Sequence, residues 1–127
     1  MKMQSYLGRA RALGSTKNGV HHWWHQRLTA IALVPLALWF VFSVIGIGSE
    51  ASYSDYKAWI SDHSNMVLLC LMIFTMFYHA TLGLQVVIED YVSNEAKKVF
   101  LLVFVKLIAA LMGFACITAV LRVAFGG

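Results

Sequence analysis

MVLLCLMIFTMFYHATLGLQVVI, residues 66–88, is an unbroken run of 23 residues without Asp, Glu, Lys or Arg. A helix needs about 20 apolar residues to cross the hydrocarbon core of a bilayer, so the run reads as a transmembrane helix. Its anomaly is His79, near the middle. A titratable or metal-binding side chain at membrane depth is costly unless something specific satisfies it, which makes His79 a candidate site by default. Two partners are open to it: a haem iron, or a hydrogen bond to a neighbouring helix.

Two further runs, Leu28 to Gly48 and Val99 to Leu121, are also long enough to span, and Lys106 is the sole formal charge inside any of the three. Hydrophobic residues make up 60% of the chain and charged residues 13%, with mean hydropathy +0.71, which is more apolar than a water-soluble fold of 127 residues requires. The expected fold is an all-α membrane protein: one domain, residues 1–127, with an interfacial segment 1–27 and transmembrane helices at about 28–48, 66–91 and 99–122. Three helices leave little room for chemistry, so a partner chain is expected.

The net charge of +4 does not read as a nucleic-acid signal, because the basic residues form no dense tract. They sort by side instead. Lys2, Arg9, Arg11, Lys17 and Arg27 precede the first run and only Lys57 lies between the first and second, which predicts a cytoplasmic N-terminus. The 49–65 loop, with Glu50, Asp55 and Asp62, then lies outside, and the Glu89–Lys98 connection inside. No apolar stretch precedes residue 28 and no small-residue cleavage motif ends the first run, so no cleaved secretion signal is expected. Cys70 and Cys116 lack CxxC or zinc-type spacing and read as buried thiols.

Before the first span, Trp23 and Trp24 suit the membrane interface. His21 and His25 stand at i and i+4, but two imidazoles without an HExxH glutamate make a poor zinc site. Arg27 closes this polar segment and cannot lose its charge. It is either a snorkelling topology marker or a clamp for carboxylates such as haem propionates. Pro35 is expected to bend the first span.

In the second run, His79 and Asp90 are eleven residues apart, about three helical turns, and share a face with Gly83 between them. Tyr91 points about a third of a turn away. Asp90 and Tyr91 read either as a solvated helix end with an interfacial tyrosine or as an acid and a phenol lining a binding site. Lys106 is close enough to its end of the third run to snorkel towards headgroups, and Ala109, Ala110, Gly113 and Ala115 offer small packing surfaces.

Three motifs together, N-G-V-H at 18–21, Q-R-L-T-A-I at 26–31 and H-A-x-x-G-x-x-x-V-x-x-D-Y at 79–91, resemble the small hydrophobic membrane-anchor subunit of succinate dehydrogenase (succinate:quinone oxidoreductase), of cytochrome b type. The resemblance covers about residues 13–125, and the third motif is its specific part. It implies that His79 is an axial ligand of haem b, with the second imidazole from a partner, the cytochrome b subunit of the same membrane anchor. It also implies that Tyr91 and Asp90 line the ubiquinone site, with Tyr91 donating to a quinone carbonyl and Asp90 in support, and that Arg27 and His21 face the haem propionates.

The implied complex contains flavoprotein and iron–sulfur subunits and sits in the bacterial inner membrane. This chain has no flavin-binding glycine fingerprint and no iron–sulfur cysteine series, so it is not expected to be an enzyme by itself. Competing accounts are a haem-poor anchor of fumarate-reductase type and a non-redox three-helix membrane scaffold.

Overall fold

A computed structural model describes residues 15–126 of the chain. Four helices follow in order: α1, Ser15–Ile47; α2, Tyr53–Ser61; α3, His63–Tyr91; and α4, Glu95–Phe125. No strand occurs among the described residues. The all-helical expectation holds, and α1, α3 and α4 are each long and apolar enough to cross a membrane. Lys2, Arg9 and Arg11, on which the charge-bias reading leans, lie outside the described residues.

Two boundaries differ from the expectation. α1 begins well before residue 28, so His21 to Arg27 are helical rather than an interfacial segment without assigned structure. Hydropathy marks where a helix becomes apolar, and the helical hydrogen-bond ladder continues upstream through polar residues. The second difference is α2, a nine-residue helix in the loop expected between the first two spans. Its amphipathic run is too short and too polar to register as a span.

Local chemistry sets the ends. α1 closes at Gly48, whose φ of 93° lies in the left-handed region that glycine enters without a Cβ clash. Asp55 accepts hydrogen bonds from the Ser52 backbone N–H at 2.8 Å and the Ser52 hydroxyl at 2.7 Å, fastening the start of α2. Those donors, the backbone N–H first, hold the Asp55 carboxyl below its ordinary pKa. Asp62 ends α2 and caps α3 by accepting from the Asn65 N–H at 3.2 Å. Asn94 does the same for α4, accepting from the Lys97 N–H at 3.1 Å. Pro35 does not interrupt α1.

The three long helices form a layer with α3 in the middle, packed against α1 on one side and α4 on the other; α1 and α4 share no comparable interface. Burial follows this arrangement. Leu69, Ile73, Thr75, Leu82 and Ile88 are buried on α3, against Leu36 on α1 and Gly113 on α4. α2 lies at the end of the layer away from the N-terminus of α1, where Trp59 stacks on Trp39 with centroids 5.5 Å apart and the Ser61 hydroxyl reaches the Ala124 carbonyl.

Much apolar surface stays uncovered, including Leu28, Ile31, Phe42, Phe74, Leu107 and Phe114. Lipid and partner chains are the natural cover for so wide a face. Cys70 is half-buried and Cys116 exposed, so the thiols are less enclosed by this chain than their apolar context suggested.

At Gly113, α4 packs closely on Phe77 of α3. A Cβ placed there would stand 3.3 Å from the Phe77 ring, tighter than ordinary van der Waals contact. Gly113→Leu is therefore expected to push Phe77 aside and destabilise the layer by about 1–3 kcal/mol, the usual cost of overpacking. A lower temperature at which the purified assembly loses this chain, measured against wild type, checks it.

Candidate functional site

His79 projects from α3 towards α1, where its Nδ1 lies 2.9 Å from the Thr29 hydroxyl oxygen. That hydroxyl also sits 2.7 Å from the His25 carbonyl and 3.1 Å from the Gln26 carbonyl. A carbonyl oxygen cannot donate, so the hydroxyl proton has two takers, the backbone carbonyls and His79 Nδ1. With the proton on the His25 carbonyl, the shortest of the three contacts, the threonine oxygen accepts from a protonated Nδ1. In that tautomer Nε2 carries a bare lone pair, and no partner meets it among the described residues.

Both readings of His79 meet here. The interhelical hydrogen bond exists, but it accounts for one ring nitrogen only. The other nitrogen has the form of a metal ligand, and a ligating histidine commonly carries such a bond on its second N–H. No cluster of three or more His, Cys, Asp or Glu side chains suited to a metal ion occurs among the described residues, which therefore bring one imidazole to this point rather than a complete coordination shell. That set fits half of a bis-imidazole haem site and does not fit a self-contained zinc site.

Around Thr29, one stripe of α1 faces α3. His22 donates from Nε2 to the Leu82 carbonyl at 3.1 Å, and His25 Nδ1 pairs with the Tyr78 hydroxyl at 2.9 Å. Gln26 lies against Gly83, its Nε2 3.7 Å from where a Cβ would stand. His22, His25, Gln26 and Thr29 follow the i, i+3, i+4, i+7 spacing of a helix face. Sequence reading passed over Thr29 and Gln26, although this spacing was there to find them. The Gln26 side-chain oxygen is buried without a hydrogen-bond partner among the described residues, close to the His79 stripe. It calls for a donor beyond them.

The other sequence-derived residues are placed less uniformly. Arg27 is exposed, its guanidinium 5.5 Å from the centroid of the Trp23 ring. His21 is exposed on a different flank, with its ring 6.4 Å from that of His25. Six residues separate His21 from Arg27, which sets them about 120° apart around α1, so they do not converge within this chain. Asp90 and Tyr91 stand at the last turn of α3, and Tyr91 is 84% exposed, its phenol unengaged by the described residues. Gly83 has room for a Cβ within this chain, so any close approach that needs glycine there comes from outside it.

Three long apolar helices packed as a layer, with an imidazole in the middle of the central one, define a multi-pass membrane protein. The comparisons agree. Residues 1–115 match the family model described as succinate dehydrogenase/fumarate reductase transmembrane subunit. The succinate dehydrogenase hydrophobic membrane anchor subunit of Rickettsia bellii is 39% identical over 113 residues, covering 88% of this chain and 89% of that protein. The corresponding protein of Rickettsia conorii is 33% identical over 78% of this chain and 79% of its own length. The succinate dehydrogenase membrane anchor subunit of Reclinomonas americana is 33% identical over 74% of this chain and 80% of its own. The chain belongs to the family of succinate dehydrogenase hydrophobic membrane anchor subunits.

Proposed function

We propose that this chain anchors the flavin and iron–sulfur subunits of a succinate dehydrogenase to the bacterial inner membrane, supplies one axial ligand of haem b, and forms part of the site where ubiquinone is reduced. The carrying observation is the 2.9 Å contact between His79 Nδ1 and the Thr29 hydroxyl, which leaves Nε2 without a partner among the described residues. The second imidazole comes from the other anchor protein, the cytochrome b subunit, since the imidazoles of this chain nearest to His79, His22 and His25, are engaged by the Leu82 carbonyl and the Tyr78 hydroxyl.

When bound, the haem supplies a one-electron redox centre inside the membrane. Thr29 holds the His79 ring in place. Arg27 is the proposed propionate contact, since its charge is permanent and its fork suits carboxylates. His21 keeps the same proposed role from the other flank of α1, so Arg27 carries more of the weight. Tyr91 donates its phenolic proton in a hydrogen bond to a ubiquinone carbonyl, and Asp90, on the His79 stripe, orients water or a basic group beside it.

The orientation follows from charge bias: N-terminus, Tyr91 and Asp90 on the cytoplasmic side, beneath the soluble subunits. Purification of the intact complex, with identification of its subunits and a reduced-minus-oxidised spectrum, tests the reading. A flavoprotein, an iron–sulfur protein, a second anchor and a b-type band are expected together. A native complex without that band removes the haem assignment.

Thr29 gives a finer test. Thr29→Val is expected to lower haem affinity by about 10- to 100-fold, the usual cost of losing a group that orients a metal ligand. Thr29→Ser keeps the acceptor oxygen and is expected to retain haem. The haem-to-protein ratio of the purified complexes, with the low-field electron paramagnetic resonance signal, reads both.

A further inference from the structure

Among the described residues, the Gln26 oxygen is the one buried side-chain polar atom without a hydrogen-bond partner. A buried acceptor is costly to leave unmatched, so a donor belongs beside it. Its position narrows what that donor is. Thr29 meets His79 and Gln26 meets Gly83, so three residues back along α1 and four residues on along α3 arrive at the same level. That level lies about 4.5–6 Å of helix rise from the Thr29–His79 contact, towards the N-terminus of α1.

The α3 side of this spot is open. His79 and Gly83 are one turn apart on a single stripe, and a Cβ at Gly83 would meet only Gln26 Nε2, at 3.7 Å. A ligand held at the unpartnered nitrogen of His79 and extending one turn towards the start of α1 therefore passes Gly83 and reaches the Gln26 amide. Water is a poor donor here. A buried water needs about two to four polar partners, and the neighbouring polar groups are already engaged: His22 with the Leu82 carbonyl, His25 with the Tyr78 hydroxyl, Thr29 with His79 and its own backbone.

We propose that Gln26 is a haem-contacting residue, its amide hydrogen-bonded to one of the two haem carboxyl groups beside Gly83, while Arg27 on the adjoining flank takes the other. The chemistry of an amide suits the task. Its N–H donates to an ionised carboxylate, its C=O accepts from a protonated carboxylic acid, and a half-turn about the terminal bond exchanges the two. Gln26 thus holds a carboxyl group in either protonation state and brings no charge into the span. Arg27, about 100° around α1, supplies charge at the other group. The proposal rests on the haem reading of His79 and adds to it a second, neutral point of attachment on α1.

The experiment takes the intact complex carrying haem isotope-labelled at its carboxyl carbons and compares the label-sensitive bands of its reduced-minus-oxidised infrared spectrum. Gln26→Leu is expected to shift one labelled carboxyl band, to leave the other at its wild-type position, and to speed haem loss to excess apomyoglobin by about 2- to 10-fold, the usual weight of one hydrogen bond. Gln26→Met, unbranched and without an amide, is expected to act alike and serves if the leucine variant fails to assemble. Gly83→Ala has room within the chain, so assembly is expected to be unchanged while the added methyl crowds the haem edge, moves the low-field electron paramagnetic resonance signal and speeds haem loss to a similar extent.

Unmoved carboxyl bands with unchanged haem loss in an assembled Gln26→Leu or Gln26→Met complex overturn the proposal and assign the missing donor to a partner chain or to water. A Gly83→Ala complex with wild-type low-field signal and wild-type haem loss overturns it as well. Both results leave the b-type band in place and so spare the haem reading; a native complex without any b-type band removes the two together.

Discussion

In a complex assembled with His79→Ala, the b-type spectrum is expected to lose its six-coordinate, low-spin character, with haem either released or held by the remaining imidazole alone. Proton placement is the reason. Thr29 has backbone carbonyls 2.7 and 3.1 Å away to take its proton, and when it accepts at His79 Nδ1, Nε2 is left as the one lone pair of this ring. Alanine removes that lone pair and leaves Thr29 still satisfied by its own helix, so local folding has little reason to fail. Optical and electron paramagnetic resonance spectra of the mutant complex, normalised to flavin, make the measurement. An unaltered low-spin signal would return His79 to the purely structural role its bond to α1 also allows.

Tyr91→Phe is expected to slow quinone reduction by about 10- to 100-fold while the haem spectrum and succinate oxidation with a soluble acceptor stay near wild type. The phenol stands 84% exposed at the last turn of α3, so among the described residues its hydroxyl supports no packing or hydrogen bond that the mutation would break. Removing a single positioned donor from a reacting carbonyl costs about 1.4–2.7 kcal/mol in this range, at 1.36 kcal/mol for each factor of ten. The split between the two assays separates a quinone-site role from an assembly defect. Equal rates of quinone reduction in mutant and wild type would take Tyr91 out of the site.

The residues differ in how far they could be understood before folding. Three apolar runs announce three spans because a helix exposed to lipid must be apolar all round, and that demand is written in composition and length. His79 stands out for the same reason: in such a run a single imidazole needs a specific partner. Thr29 was silent. A threonine in a helix is ordinary, and its importance exists only because α1 and α3 bring it within 2.9 Å of His79. Arg27 and His21 read as one cluster when close in sequence, yet about 100° of turn per residue sends them to different flanks of α1.

Lys106 shows the same divide from the other side. Its charge inside a span was evident, and snorkelling was a sufficient account while the helix was considered alone. Packing changes the question, because α3 and α1 bring Gln85 and His22 to a crevice they share with Lys106 and leave the ammonium without an acid to pair with among the described residues. Hydropathy, length and charge bias are sums over one segment, so the chain's order of residues suffices for span number, membrane residence and the identity of the unusual histidine. Which ring nitrogen is free, which faces remain open and what converges on Lys106 depend on distances between helices, and these exist only once α1, α3 and α4 have packed.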